Sequence, residues 1–225
     1  MFDEKPLIVP IFIPNQGCPH RCVFCDQERI TSQPSRPAGG QAVRDILEMA
    51  RRSASFSGRK RREIAFYGGT FAGLPESRMR ELLGAVAPYL EEGAFHSVRV
   101  STRPDSLDAK KAAFLSELGV STVELGAQSM DDEVLIMTRR GHSASDTERA
   151  AALLKQQGFR IGIQLMPGLP GDSAERFSAT VQKVIRIKPD MARLYPVVVI
   201  RGTELARWVE NGEYQPLVLE EAIKI

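Results

Sequence analysis

The sequence predicts an α/β protein: a partial (β/α)6 TIM-type barrel of parallel strands with a short C-terminal extension. Three observations predict it. Six short apolar runs alternate with segments of helical spacing, the pattern of a parallel sheet wrapped by helices. Glycines and polar residues collect just after those runs, at the strand ends where such folds bind ligands. A chain of 225 residues, 43% hydrophobic and 26% charged, suits one α/β core with an appendage.

Residues 7–13 (LIVPIFI) read as the first strand, and Pro10 suggests a sheet edge. A polar loop at 31–40 precedes a helix carrying Val43, Ile46, Leu47 and Ala50. Residues 63–67 (EIAFY) form a buried strand ending in Gly68, Gly69 and Thr70. The next helix carries Met79, Leu82, Leu83, Val86 and Leu90, and Pro88 should kink or fray its last turn. The third strand, 97–102, stops at Pro104, and Asp108 caps the helix that follows. The fourth strand, 120–126, runs into Gln128, and a capping box of Ser145 and Glu148 opens the next helix. The fifth, 159–165, leads into a stiff MPGLPG turn and a helix capped by Ser173, with Phe177, Val181, Val184 and Ile185 inward. The sixth is 191–194. Beyond it, 203–212 reads as a short helix, and 217–225 begins another with Leu219, Ala222 and Ile223 inward. That last pattern breaks off after about two turns, so the chain is expected to be the core of a longer protein. The division expected is a barrel at 1–195 and an extension at 196–225, truncated.

No apolar run approaches the ~20 residues of a membrane span. The start, MFDEKP, lacks the basic region of a signal peptide. With free thiols, this predicts a cytoplasmic protein. The net charge of +2 selects no partner class. A basic run of Arg51, Arg52, Arg59, Lys60, Arg61 and Arg62 reads as a solvated connection, and RNA phosphates are the sharper alternative. His96 and His142 read as surface or supporting residues.

Cys18, Cys22 and Cys25 lie in the stretch CPHRCVFC and are all the cysteines in the chain. Three thiols this close make no disulfide framework. They suit one soft metal centre. A [4Fe–4S] cluster and a structural zinc each take four protein ligands, and a fourth thiol is missing. The simplest reading is a cubane held at three irons, with the fourth iron open. A zinc site completed by His20 and a set of unliganded thiols stay open as alternatives.

The cysteine spacing, with the aromatic Phe24 before the last thiol, resembles that of the radical S-adenosylmethionine (SAM) enzymes. Further stretches extend the likeness: GGTFAGLP, STRPDSLD, VELGAQS, RRGHS, KQQGFRIGIQLMPGLPG and YPVVVIRGTEL. Together they resemble the radical-SAM domain of the elongator complex catalytic subunit and, more loosely, oxygen-independent coproporphyrinogen oxidase. The resemblance implies a [4Fe–4S] cluster on Cys18, Cys22 and Cys25, with SAM chelating the open iron. It implies that Gly68, Gly69 and Thr70 hold the SAM amino group and that Ser101, Thr102 and Arg103 read the ribose. Gln128 would fix a ribose or carboxylate, and Arg140 would hold a carboxylate. Gln164 stands where some relatives carry Asp or His. The elongator subunit spaces its first cysteines farther apart and carries an acetyltransferase domain, for which this chain has no room; the compact spacing resembles stand-alone bacterial relatives. The absence of further cysteines argues against relatives with a second cluster.

The implied activity is reductive cleavage of SAM to a 5′-deoxyadenosyl radical, which takes hydrogen from a small-molecule or nucleoside substrate. tRNA is a candidate partner, and a flavodoxin or ferredoxin a candidate one-electron reductant; no membrane is involved. The competing expectations are a tRNA- or nucleobase-binding module with little turnover and a plain cluster carrier. The SAM-like constellation at Gly68 and Gln128 argues against the carrier.

Overall fold

A computed structural model describes residues 6–32, 39–59 and 61–223. Six parallel strands form one sheet in chain order: β1 (Leu7–Phe12), β2 (Arg62–Tyr67), β3 (Ser97–Thr102), β4 (Val120–Gln128), β5 (Arg160–Leu165) and β6 (Met191–Leu194). Every neighbouring pair is parallel. β1 and β6 do not pair with each other, so the sheet curls into an open, partial barrel. β1 is an edge, as Pro10 requires: a central strand would need its missing N–H.

The helices are α1 (Gln27–Thr31), α2 (Gly40–Arg51), α3 (Ala54–Ser57), α4 (Glu76–Gly84), α5 (Ala87–Glu91), α6 (Ala109–Glu117), α7 (Asp132–Met137), α8 (Ala144–Gln156), α9 (Ala174–Ile187), α10 (Glu204–Glu210) and α11 (Leu219–Ala222). The core lies between them and the outer face of the sheet. Ile11, Ile64, Phe66, Val98, Val100, Val123, Leu125 and Ile163 project from the strands into it, and Val43, Leu47, Met79, Leu82, Leu115 and Leu154 come from the helices. Full burial of a side chain such as Phe66 contributes about 1.5–3 kcal/mol.

Asp108 and Ser173 cap α6 and α9 as expected, each accepting a backbone N–H. The capping box of α8 is Ser143 and Asp146, not Ser145 and Glu148. Gly141, at φ +70°, turns the chain early and puts Ser143 at the extended cap position. Pro88 sits in the first turn of a separate helix, α5, where its missing N–H removes no helical bond. In α9 the buried stripe is Phe177, Thr180 and Val184; Ile185 falls one step past it and is exposed. Leu219 and Ile223 are also exposed, because α11 lies on the surface with its apolar side uncovered. Lys60 of the basic run, residues 33–38 and residues 224–225 fall outside the described residues.

Candidate active site

The loop after β1 is packed backbone to backbone on the turn after β2. Gly17 (φ +72°) and Gly69 (φ +59°) make this approach. A Cβ on Gly17 would lie 2.2 Å from the Thr70 carbonyl oxygen, and one on Gly69 would lie 2.3 Å from that of Gln16. Thr70 N–H donates to the Gln16 carbonyl at 2.7 Å. Gln27, two residues past the last cysteine, clamps the two segments. Its Oε1 accepts the Asn15 N–H at 2.6 Å and the Gly69 N–H at 2.7 Å. The glycine at position 69 is therefore needed for loop packing, and its amide already has a partner inside the protein. Leu205 at the start of α10 donates its N–H to the Val23 carbonyl at 2.9 Å, so the extension returns to the cysteine loop.

The end of β4 is built differently. A register shift between Gly126 and Gln128 breaks the ladder to β5. Three consecutive carbonyls then find separate donors. Arg140 Nη2 donates to Gly126 O at 2.5 Å, the His142 ring nitrogen Nε2 to Ala127 O at 3.2 Å, and Met166 N–H to Gln128 O at 2.9 Å. Held this way, Gln128 adopts φ +69°, a costly conformation for a residue with a side chain. Gly126 leaves room for its neighbours: a Cβ there would meet Gln128 Nε2 at 3.1 Å. Gln164 Nε2 approaches Gln128 Oε1 at 3.4 Å. Arg103 at the end of β3 is held by both oxygens of Asp105, at 2.9 and 2.7 Å. The Thr102 hydroxyl accepts the Ala72 N–H at 3.3 Å.

All the sequence-predicted residues line one cavity of about 780 Å³: Cys18, Cys22, Phe24, Cys25, Gly68, Gly69, Thr70, Ser101, Thr102, Arg103, Gln128, Arg140 and Gln164. Asn15, Gln27, Tyr67, Glu124, Met166, Arg193 and Tyr195 line it too, and the motifs do not point to them. Behind part of this wall a chain of charges crosses the barrel. Glu63 Oε2 lies 2.6 Å from Arg99 Nη2, whose other nitrogen reaches Glu124 Oε1. Arg193 Nε lies 3.3 Å from the same Glu124 oxygen, and its Nη2 donates to the Tyr67 hydroxyl at 2.8 Å. Two carboxylates and two guanidiniums make this chain neutral. Burial, then the nearby Glu124, holds the Tyr67 phenol above its usual range. These charges alternate with core residues on their strands, which the sequence alone reads as solvent-facing positions of half-buried strands.

The thiols sit in a low-dielectric wall. Burial pushes Cys25 up to about 12, helped by Cys22 and Cys18. Burial also raises Cys18, against the hydrogen bond from Thr70. A metal bound here would have to displace the protons that burial favours on Cys18 and Cys25. His20 Nε2 lies 2.8 Å from the Arg139 carbonyl and donates to it. Among the described residues, no three Cys, His, Asp or Glu side chains are gathered as ligands of a single ion. A cubane makes no such demand, since it takes one thiolate per iron. Burial, with Arg140 and Arg103 nearby, lowers His142 to about 4, so the ring is neutral.

The model of the Radical SAM superfamily matches residues 12–184, and that of the Radical SAM C-terminal domain matches residues 189–225. The chain is 31% identical over 236 residues to the tRNA uridine(34) acetyltransferase of Dehalococcoides mccartyi, covering 88% of this chain and 50% of that protein. It is 40% identical over 129 residues to the protein of the same name from Methanocaldococcus infernus, covering 56% of this chain and 24% of that one. The chain thus spans between 24% and 50% of the length of these relatives. The structure of the archaeal Methanocaldococcus infernus Elp3 with an N-terminal deletion matches with TM-score 0.73 at 28% identity, over 96% of this chain and 51% of that one. Coproporphyrinogen III oxidase (HemN) from Escherichia coli shares the fold, with TM-score 0.65 at 18% identity over 97% of this chain and 50% of that one. The family model covers the cysteine loop and the strand ends that face it, and the chain is an enzyme belonging to the Radical SAM superfamily.

Proposed function

We propose that this chain binds a [4Fe–4S] cluster through Cys18, Cys22 and Cys25 and reductively cleaves SAM beside it. The observation that carries this reading is the convergence of the three thiols and all six strand ends on one cavity of about 780 Å³. The residues fit such a pair of groups. Asn15 Nδ2 and Arg140 Nε are buried without a partner in residues that line the cavity, so both are left for a ligand. When bound, that pair would supply one-electron reductive cleavage of SAM and hydrogen-atom abstraction from the substrate.

The chain's own residues position and enclose. Phe24, Gly68, Gly69 and Thr70 line the cavity with the cysteines and would seat the methionine part of SAM. Ser101, Thr102 and Arg103 would face its ribose, with Gln128, Arg140 and Gln164 completing the cradle. The half lined by Tyr67, Glu124, Arg193 and Tyr195 would hold the substrate. Apolar Pro10, Phe12 and Met166, with Val198 and Ile200 of the extension, line the same cavity and would exclude water from it. The substrate is proposed to be a nucleoside, a tRNA base or a small metabolite, and the electron donor a flavodoxin or ferredoxin of the cytoplasm. No helix among the described residues is long and apolar enough to cross a membrane.

The test is anaerobic reconstitution followed by dithionite and SAM. About four irons per chain and formation of 5′-deoxyadenosine are expected. Cys18→Ala, Cys22→Ala and Cys25→Ala should each abolish cleavage. Stoichiometric zinc with no cluster after reconstitution would overturn the reading.

A further inference from the structure

Two of the three cysteine sulfurs are hydrogen-bonded from outside their loop. Arg140 Nη1 donates to Cys22 Sγ at 3.1 Å. Thr70 Oγ1 lies 3.2 Å from Cys18 Sγ. Among the described residues, Cys25 Sγ has no such partner. We propose that Arg140 and Thr70 are positioning residues that set the reduction potential of the cluster, Arg140 more strongly. This rests on the cluster reading above and goes beyond it, because it concerns the electron and not SAM.

A sulfur bound to iron is a thiolate and carries no proton. Thr70 must then donate to Cys18, and a guanidinium can only donate. The added electron makes the cluster more negative. A donor to a ligating sulfur therefore stabilises the reduced form more than the oxidised form and raises the potential. A charged donor acts more strongly than a neutral hydroxyl.

Arg140 is built for this role. It is 7% exposed and Cys22 is 8% exposed, so water screens their interaction weakly. Its second nitrogen is anchored on the Gly126 carbonyl at 2.5 Å, which fixes the fork across the gap between β4 and the cysteine loop. Among the described residues, no carboxylate forms an ion pair with it. A buried cation without an anion is costly, and iron-bound thiolates supply the missing negative charge. Its field also acts on the other two cysteines, Cys18 and Cys25.

The test measures the reduction potential of the reconstituted cluster without SAM, by EPR-monitored potentiometry, beside iron content and SAM affinity. Arg140→Gln should lower the reduced-to-oxidised ratio at fixed poise about tenfold, which is about 59 mV for one electron. Thr70→Val should lower it less, Thr70→Ser should restore it, and Arg140→Lys should fall between wild type and Gln. Variants that keep their iron and the wild-type potential would overturn the proposal, and loss of SAM affinity in Arg140→Gln would then assign Arg140 to SAM alone. If Arg140→Gln loses its cluster, a wild-type potential in both Arg140→Lys and Thr70→Val overturns the proposal equally. A wild type that assembles no cluster would instead sink the underlying reading.

Discussion

The two faces of the sheet are made from the same strands and obey different rules. Outward, Ile64, Phe66, Val98, Val100, Leu125 and Ile163 meet helices through dispersion and burial alone. Any side chain of the right size serves there, and neighbours compensate for small errors. Inward, Glu63, Arg99, Glu124 and Arg193 depend on partners one or two strands away. Each member is tolerable only because the others are present. The outer face tolerates approximation, and the inner face is all or nothing.

The largest effect expected from this difference comes from Arg99→Met. It leaves Glu63 and Glu124 buried without their shared cation and should cost about 3–5 kcal/mol in urea unfolding of the apo chain. The combined change Glu63→Gln and Arg99→Met, which keeps the Glu124–Arg193 pair, should recover most of that loss. A double variant as unstable as the single one would break the comparison. Next comes Gly162→Ala, also on the inner face. Its Cβ would sit 2.9 Å from Glu124 Cγ and 3.1 Å from Met191 Cγ, and overpacking should cost about 1–3 kcal/mol. The smallest is Ile163→Val, one residue along and facing outward. It should cost about 0.5–1.5 kcal/mol by the same unfolding measurement, with cavity ligands unaffected. A loss for Ile163→Val larger than that for Gly162→Ala would reverse the ranking of the faces.

This asymmetry also decides what could be read in the sequence. All six strands were legible because the outward residues alternate with polar ones and stop at Gly, Pro or Gln. The candidate site residues were legible because motifs sit at strand ends, which a parallel barrel brings to one rim. The charge chain was not legible, since Glu63 and Arg99 in isolation look like solvent-facing positions on half-buried strands. Only curling of the sheet turns that side into an interior. Gln27 was missed for another reason: its partners, Asn15 and Gly69, are backbone amides, which leave no trace in a residue pattern. The box at Ser145 failed because Ser143 and Asp146 offer the same spacing two residues earlier, and the turn at Gly141 chooses between them.

The Gln27 clamp sets a schedule for biosynthesis. Gln27 and Gly69 are separated by 42 positions. At a translation rate of 5–20 residues per second, Gly69 is added about 2–8 s after Gln27. Through that interval the nascent chain carries its three thiols with nothing to seat them against. Until β1 and β2 pair, the segment that carries these cysteines has neither the Gly69 amide for Gln27 nor the Thr70 hydroxyl beside Cys18 to hold it in place.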